Sequence, residues 1–195
     1  MSAARLCVAA LLLLVPRFAD AQVALSEEFL DELQENDLTF NEANLKDFAP
    51  APIHDNPDMN YELAARSPTG LEIRYAVRRF DPKPDQPAAG GFDTLAKAEF
   101  IAVVYNVAID NPNQSGVLGS TDFPAESVKH DFNAEWGGSA LVIPRKTFAR
   151  GFDRCMIVSV TKKRAHAYMF YLFSSSRQQE ALQELGPIFT TLHFR

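Results

Sequence analysis

Ala165-His-Ala-Tyr-Met-Phe-Tyr-Leu-Phe-Ser174 decides the fold. In an extended chain, successive side chains point to opposite faces. His166, Tyr168, Phe170 and Leu172 share one face; Ala167, Met169, Tyr171 and Phe173 share the other. A strand with one wet face would alternate apolar with polar residues. This one is apolar on both, which predicts a central strand covered on both sides.

Working outward, Asp153 to Thr161 precedes it across the turn Lys162-Lys163-Arg164, and Ala140 to Phe148 comes before that. The three read as successive antiparallel strands. Upstream, Tyr61 to Arg66 and Leu71 to Phe80 flank Ser67-Pro68-Thr69-Gly70, whose proline and glycine suit a tight reversal. Leu71, Ile73, Tyr75 and Val77 alternate with Glu72, Arg74, Ala76 and Arg78, which predicts a hairpin with one core face and one charged face.

Helical patterns fill the gaps. Ser26 to Asn36 is amphipathic, with Ser26 as cap, Leu25 and Leu30 spaced as a hydrophobic staple, and Phe29, Leu30 and Leu33 as its stripe. Asp93 to Ile109 is apolar almost all round and predicts a helix buried on most sides, although its β-branched tail also suits a strand. Pro124 opens a third helix in which Ala125, Val128, Phe132 and Trp136 recur, with Gly137-Gly138 as its end. Ser176 with Gln179 forms a capping box for a last helix, buried through Ala181, Leu182, Leu185, Ile188 and Phe189. Prolines make the stretch around Phe48 to Asp58 irregular, residues 81–91 read as a loop, and Asp110 to Thr121 is turn-rich. The fold class is α+β: an antiparallel sheet, hairpin plus three-strand meander, covered by helices. The domain spans 61–195, behind a helix and irregular lead-in over 22–60.

The first 21 residues are different in kind. Arg5 is followed by the apolar run Leu6 to Val15 and then by Ala19-Asp20-Ala21. Basic, apolar and small-residue segments in that order predict a signal peptide cut between Ala21 and Gln22, hence a periplasmic or secreted protein. The run is short of the roughly 20 apolar residues a membrane span needs, so no stable membrane insertion is expected. Cutting there removes Arg5, Arg17 and Asp20 and takes the formal charge from −6 to −7. Such a surface repels phosphate backbones and argues against nucleic-acid binding. Cys7 leaves with the signal, so Cys155 has no intramolecular partner; in Cys155-Met156-Ile157-Val158 it reads as a small buried hydrophobe.

No stretch carries a catalytic, nucleotide or metal motif, and no cofactor is implied. His54, His130, His166 and His193 are scattered, without the converging ligands a zinc site needs. Asn111 to Asp122 copies the spacing of a calcium loop but offers one full negative charge. The most unusual stretch is His130-Asp-Phe-Asn-Ala-Glu-Trp-Gly-Gly138, which holds the only tryptophan. Two readings of Trp136 stand: a core residue closing a helix, or the wall of a ligand pocket formed with His130 and Asn133 and borrowing Arg74 and Arg78 from the hairpin. Arg74 and Arg78, with Glu72, equally suit a surface ion-pair ladder. Lys162-Lys163-Arg164 is a basic spot on an acidic chain, an ordinary charged turn or a docking patch for an acidic partner.

Tyr61-Glu-Leu-Ala-Ala, Leu71-Glu-Ile-Arg-Tyr75, Asp131-Phe-Asn-Ala-Glu-Trp-Gly137, Cys155-Met156 and Tyr168-Met-Phe-Tyr-Leu-Phe173 resemble a small family of uncharacterised exported bacterial proteins. In element order the chain is similar to the PsbP-like α/β/α sandwich. That resemblance implies a binding or assembly module and carries no functional residue across. The expectation is an exported, non-catalytic module of the bacterial cell envelope that takes an envelope protein or a small ligand. The alternative is a secreted hydrolase using residues such as His130, Asp131 and Glu135, since positions four apart share a helix face.

Overall fold

The computed structural model describes residues 23–79, 92–111 and 114–195. The cleavage expectation at Ala21 and Gln22, and the loop 81–91, lie outside the described residues. The helices are α1 (Glu27–Glu35), α2 (Phe92–Val107), α3 (Ala125–Phe132), α4 (Lys146–Ala149) and α5 (Gln178–Ile188). The strands begin with β1 (Leu38–Phe40), β2 (Ala49–Pro50), β3 (Leu63–Arg66) and β4 (Glu72–Arg79). Then come β5 (Asp110–Asn111), β6 (Gln114–Ser115), β7 (Val117–Asp122), β8 (Trp136–Val142), β9 (Arg154–Lys162), β10 (Ala165–Phe173) and β11 (Leu192–Phe194).

Seven strands form one antiparallel sheet in the order β2-β3-β4-β10-β9-β8-β7. Strand β10 sits in the middle and buries all nine of its residues, as its two apolar faces require. On one face Ala167, Met169, Tyr171 and Phe173 meet α1, α3, α5 and the small β1–β11 sheet, through Phe29, Leu33, Val128, Phe132, Leu185, Leu192 and Phe194. On the other, Tyr168, Phe170 and Leu172 meet α2 and α4, through Phe100, Val103, Val104, Val107 and Phe148. The fold is an α+β sandwich with helices on both faces of an antiparallel sheet, built as the sequence pattern predicts.

The structure departs from the pattern where packing overrides local signals. The charged face expected on β4 is inside the molecule, with Glu72 and Arg74 buried, because β4 lies next to the central strand under α4. The third helix stops at Asn133, which caps it in the left-handed conformation (φ 49°), so Trp136, Gly137 and Gly138 begin β8. Those glycines serve packing: a side chain on Gly137 would press into Phe123, Val128 and Val160, and one on Gly138 into the Trp136 ring and the Thr121 carbonyl. The turn-rich stretch ends in an edge strand, β7, bulged between Val117 and Gly119. Residues 143–148 leave the sheet, through Pro144 and the short α4. The last helix is preceded by a 3-10 turn, Ser175–Arg177, whose Ser175 is held by Asp153 rather than by a Ser176 capping box. Helix α2 leaves Ile101 and Tyr105 exposed. In α1, Ser26 accepts from the Phe29 amide at 3.2 Å as read, but Leu30 is exposed. The lead-in is structural: Leu38 and Leu45 are buried, and β1 pairs with β11.

Candidate functional site

The structure does not bring Trp136, His130, Asn133, Arg74 and Arg78 together. Trp136 is nearly buried on the α2 face, its ring 5.5 Å from Phe100. His130 lies on α3, which packs on the opposite face; its ring is exposed and contacts Asp131 at 2.7 Å. Asn133 is spent at the α3 terminus, bonded by Lys129 at 2.6 Å and donating to the backbone oxygen of Arg195.

Arg74 is fully buried, and each of its three guanidinium nitrogens has a polar partner. It reaches Glu72 at 2.7 Å, donates to the Phe148 carbonyl, and sits over the rings of Tyr61 (4.7 Å) and Phe148 (4.9 Å). Glu72 also takes Arg66. These contacts dock α4 onto the sheet. Arg78 pairs with Glu62 and with the Asn60 carbonyl at the edge of the same face. Burial raises the Glu62 carboxyl despite the Arg78 guanidinium beside it. His166, in register with Arg78 and Thr161, contacts Thr161 at 3.0 Å and stacks on Tyr168; burial lowers its imidazole to about 4. Burial also pushes the Cys155 thiol and the Tyr75, Tyr168 and Tyr171 phenols up. Of the acid–base candidates, Glu135 accepts from the Lys163 amide at 3.0 Å and so caps the β9–β10 turn. Among the described residues, no group of three His, Cys, Asp or Glu gathers, and Asp122 pairs with Lys97.

What the fold does assemble is a cavity of about 250 Å³ at the end of the sheet, opposite the α2 face. Its floor follows from register. Arg79 of β4 stands opposite Ala165 of β10, and Ala165 opposite Lys162 of β9. All three side chains point to the same face, and the alanine leaves space between two cations. The two-residue turn Lys163-Arg164 adds two more cations; the α1–β1 junction adds Glu35, Asn36 and Asp37; Phe194 of β11 forms a wall.

Backbone geometry at this rim is unusual. Asp37 and Lys163 both adopt the left-handed region, each at φ 55°, and their side chains approach to 3.4 Å. In a two-residue hairpin that position favours glycine. A lysine there costs of order 1 kcal/mol in backbone strain. Lys162 lies over Phe194 and donates to the backbone oxygen of Arg195 at 2.7 Å. Among the described residues no ion pair engages Arg79. The sequence showed the basic turn as a patch but pointed to Arg78 instead of Arg79. The two are neighbours, and the pleat sends them to opposite faces.

No family model and no curated protein matches this chain. Among solved structures it is similar to cyanobacterial PsbP (CyanoP) from Synechocystis sp. PCC 6803, at a TM-score of 0.47 and 7% identity, over 76% of this chain and 82% of that one. No helix among the described residues is long and apolar enough to cross a membrane.

Proposed function

We propose that this chain is an exported, non-catalytic binding module of the bacterial cell envelope, and that it holds a small ligand in the cavity at the end of its sheet. The leader-like order of residues 1–21 supports export. One observation supports the site: on a chain with a formal charge of −6, four cations from two separate segments, Arg79 and Lys162 to Arg164, line one concavity. Glu35 and Asp37 share the lining, and a cleft in which cations outnumber carboxylates still raises the local concentration of anions. Concavity with a few convergent polar groups and an apolar wall is what small-ligand sites share.

The test has two parts. Fractionation of cells expressing the full chain should recover it outside the cytoplasm, beginning at Gln22. Native mass spectrometry of that material should show a small molecule travelling with the protein and lost from Ala165→Leu, which fills the floor. Recovery from the cytoplasm at full length sinks the export reading. Equal occupancy, or none, in both proteins sinks the cavity reading.

A further inference from the structure

The two edges of the seven-stranded sheet are built differently. Strand β2 is two residues long, and its Pro50 has no N–H to offer a further strand; Pro52 lies two residues on. Strand β7 is six residues long, holds no proline and no lysine, and has no described strand on its outer side. Which of its backbone groups face outward follows from one bond. The Phe123 amide donates to the Gly137 carbonyl at 2.9 Å, so that pair is hydrogen-bonded. Opposed pairs in an antiparallel ladder alternate between bonded and non-bonded. Thr121 is therefore bonded to Ser139, while Ser120, opposite Ala140, and Asp122, opposite Gly138, turn their N–H and C=O groups outward. The Asp122 carbonyl takes the Thr121 hydroxyl at 3.2 Å and keeps a second lone pair.

We propose that this edge is a dimer interface: two copies of the chain pair their β7 strands antiparallel about a two-fold axis at Thr121. In that register Ser120 of each copy exchanges both backbone bonds with Asp122 of the other, and Thr121 meets its own copy. Charge favours a second copy here. The chain carries −6 and repels itself over most of its surface. Val117 to Thr121 is uncharged, and Asp122 is paired with Lys97 of α2. Ser120, not a second carboxylate, stands opposite Asp122.

Helix α2 adds to the contact. A two-fold axis perpendicular to the sheet puts both α2 helices on the same side. Helix α2 packs over β8, and three strand spacings of about 4.8 Å set the two β8 strands about 14 Å apart. That exceeds the usual helix separation of about 8–10 Å, so only long outward side chains bridge it. Lys97 and Ile101, one turn apart, are both half-exposed on α2. Each copy spends the open edge of its sheet, and Pro50 closes the other, so assembly ends at two. The proposal needs neither the cavity nor its ligand.

Sedimentation equilibrium of the purified chain from about 1 µM to about 1 mM tests it, since so small an interface holds with a Kd of about 10–100 µM. Monomer should give way to dimer and to nothing larger. Ser120→Pro removes an outward N–H and no bond to β8, and Ile101→Glu sets like charges beside the axis. Each should weaken the dimer at least about tenfold with an unchanged urea midpoint. Leu30→Glu, exposed on α1 at the opposite face, should leave the dimer intact. Amide exchange reads the register directly, and it decides alongside Ile101→Glu should Ser120→Pro fail to fold. The Thr121 amide should be protected at every concentration, and those of Ser120 and Asp122 only as dimer forms.

A monomer at the highest concentration, a dimer indifferent to Ser120→Pro and Ile101→Glu, or growth beyond two overturns the proposal. So does protection of Ser120 and Asp122 at the lowest concentration, which would mean that one copy covers its own edge. A different polypeptide sedimenting with the chain, and lost from Ser120→Pro, would give the edge to another protein and overturn it too.

Discussion

Replacing Arg74 by methionine should unfold much of the molecule's margin without touching its surface. Arg74 is 1% exposed, and its partner Glu72 is 3% exposed. Breaking a buried pair by removing one member costs about 3–5 kcal/mol, because the other charge stays buried and uncompensated. Arg66 still reaches Glu72 and limits that penalty, while the Phe148 carbonyl loses a donor, a further cost of about 1–3 kcal/mol. Methionine keeps the contact with Tyr61 and Phe148 and returns part of the loss. The balance is about 4 kcal/mol, against a total of roughly 5–15 kcal/mol for a typical domain. Glu72→Gln with Arg74→Met removes the stranded charge as well, and should recover at least about half of the loss. Urea unfolding followed by the fluorescence of Trp136, the only tryptophan, reads both variants in one assay. A single-variant cost below about 1 kcal/mol, or a double variant no better than the single, would refute a buried structural pair.

Three further outcomes follow from the geometry. The depressed imidazole of His166 means the folded state binds this proton less readily than the unfolded chain does. Its contribution is intact above the ordinary value of 6.5 and is lost as pH falls through 6.5 towards about 4, a span of about 3 kcal/mol. His166→Gln should flatten that part of the stability–pH curve, and urea midpoints that shift equally with pH in both proteins would show that His166 is not the titrating group. Gly138→Ala should cost about 1–3 kcal/mol, since its new methyl meets the Thr121 carbonyl at 3.1 Å; an unchanged melting temperature would mean that β7 and β8 yield easily. Cys155, buried with its thiol pushed up, should resist Ellman's reagent in the native protein and react fully in urea, and rapid native modification would place it near the surface instead.

The sandwich was legible because β10 states its environment twice, once on each face. Nothing local could say that Arg74 is interior. Its strand alternates as an exposed hairpin strand would, and only its place beside β10, under Phe148 of α4, buries it. Trp136 was misplaced for a similar reason. Helical spacing continued from Phe132 to Trp136, but Asn133 turned the chain first, and asparagine tolerates the left-handed conformation better than most residues. The basic turn was visible as a run of like charge. The cavity was not, because it depends on Arg79, Asp37 and Phe194, which lie far from that turn in sequence. A strand register would have supplied the missing step: pairing Lys162 with Ala165, and Ala165 with Arg79, already sets two cations around an alanine.

The pairing of β1 with β11 makes the order of synthesis matter. Leu38 meets Phe194 and Phe40 meets Leu192, so the layer over one sheet face cannot close until residue 194 has left the ribosome. The cavity inherits that timing, since it draws on residues 35–37 and 194 alike. A growing chain therefore has neither a finished core on that face nor a formed cavity. Until residue 194 is free to pair, that face stays open to handling by other factors, and competence to bind arises in one step when β1 meets β11.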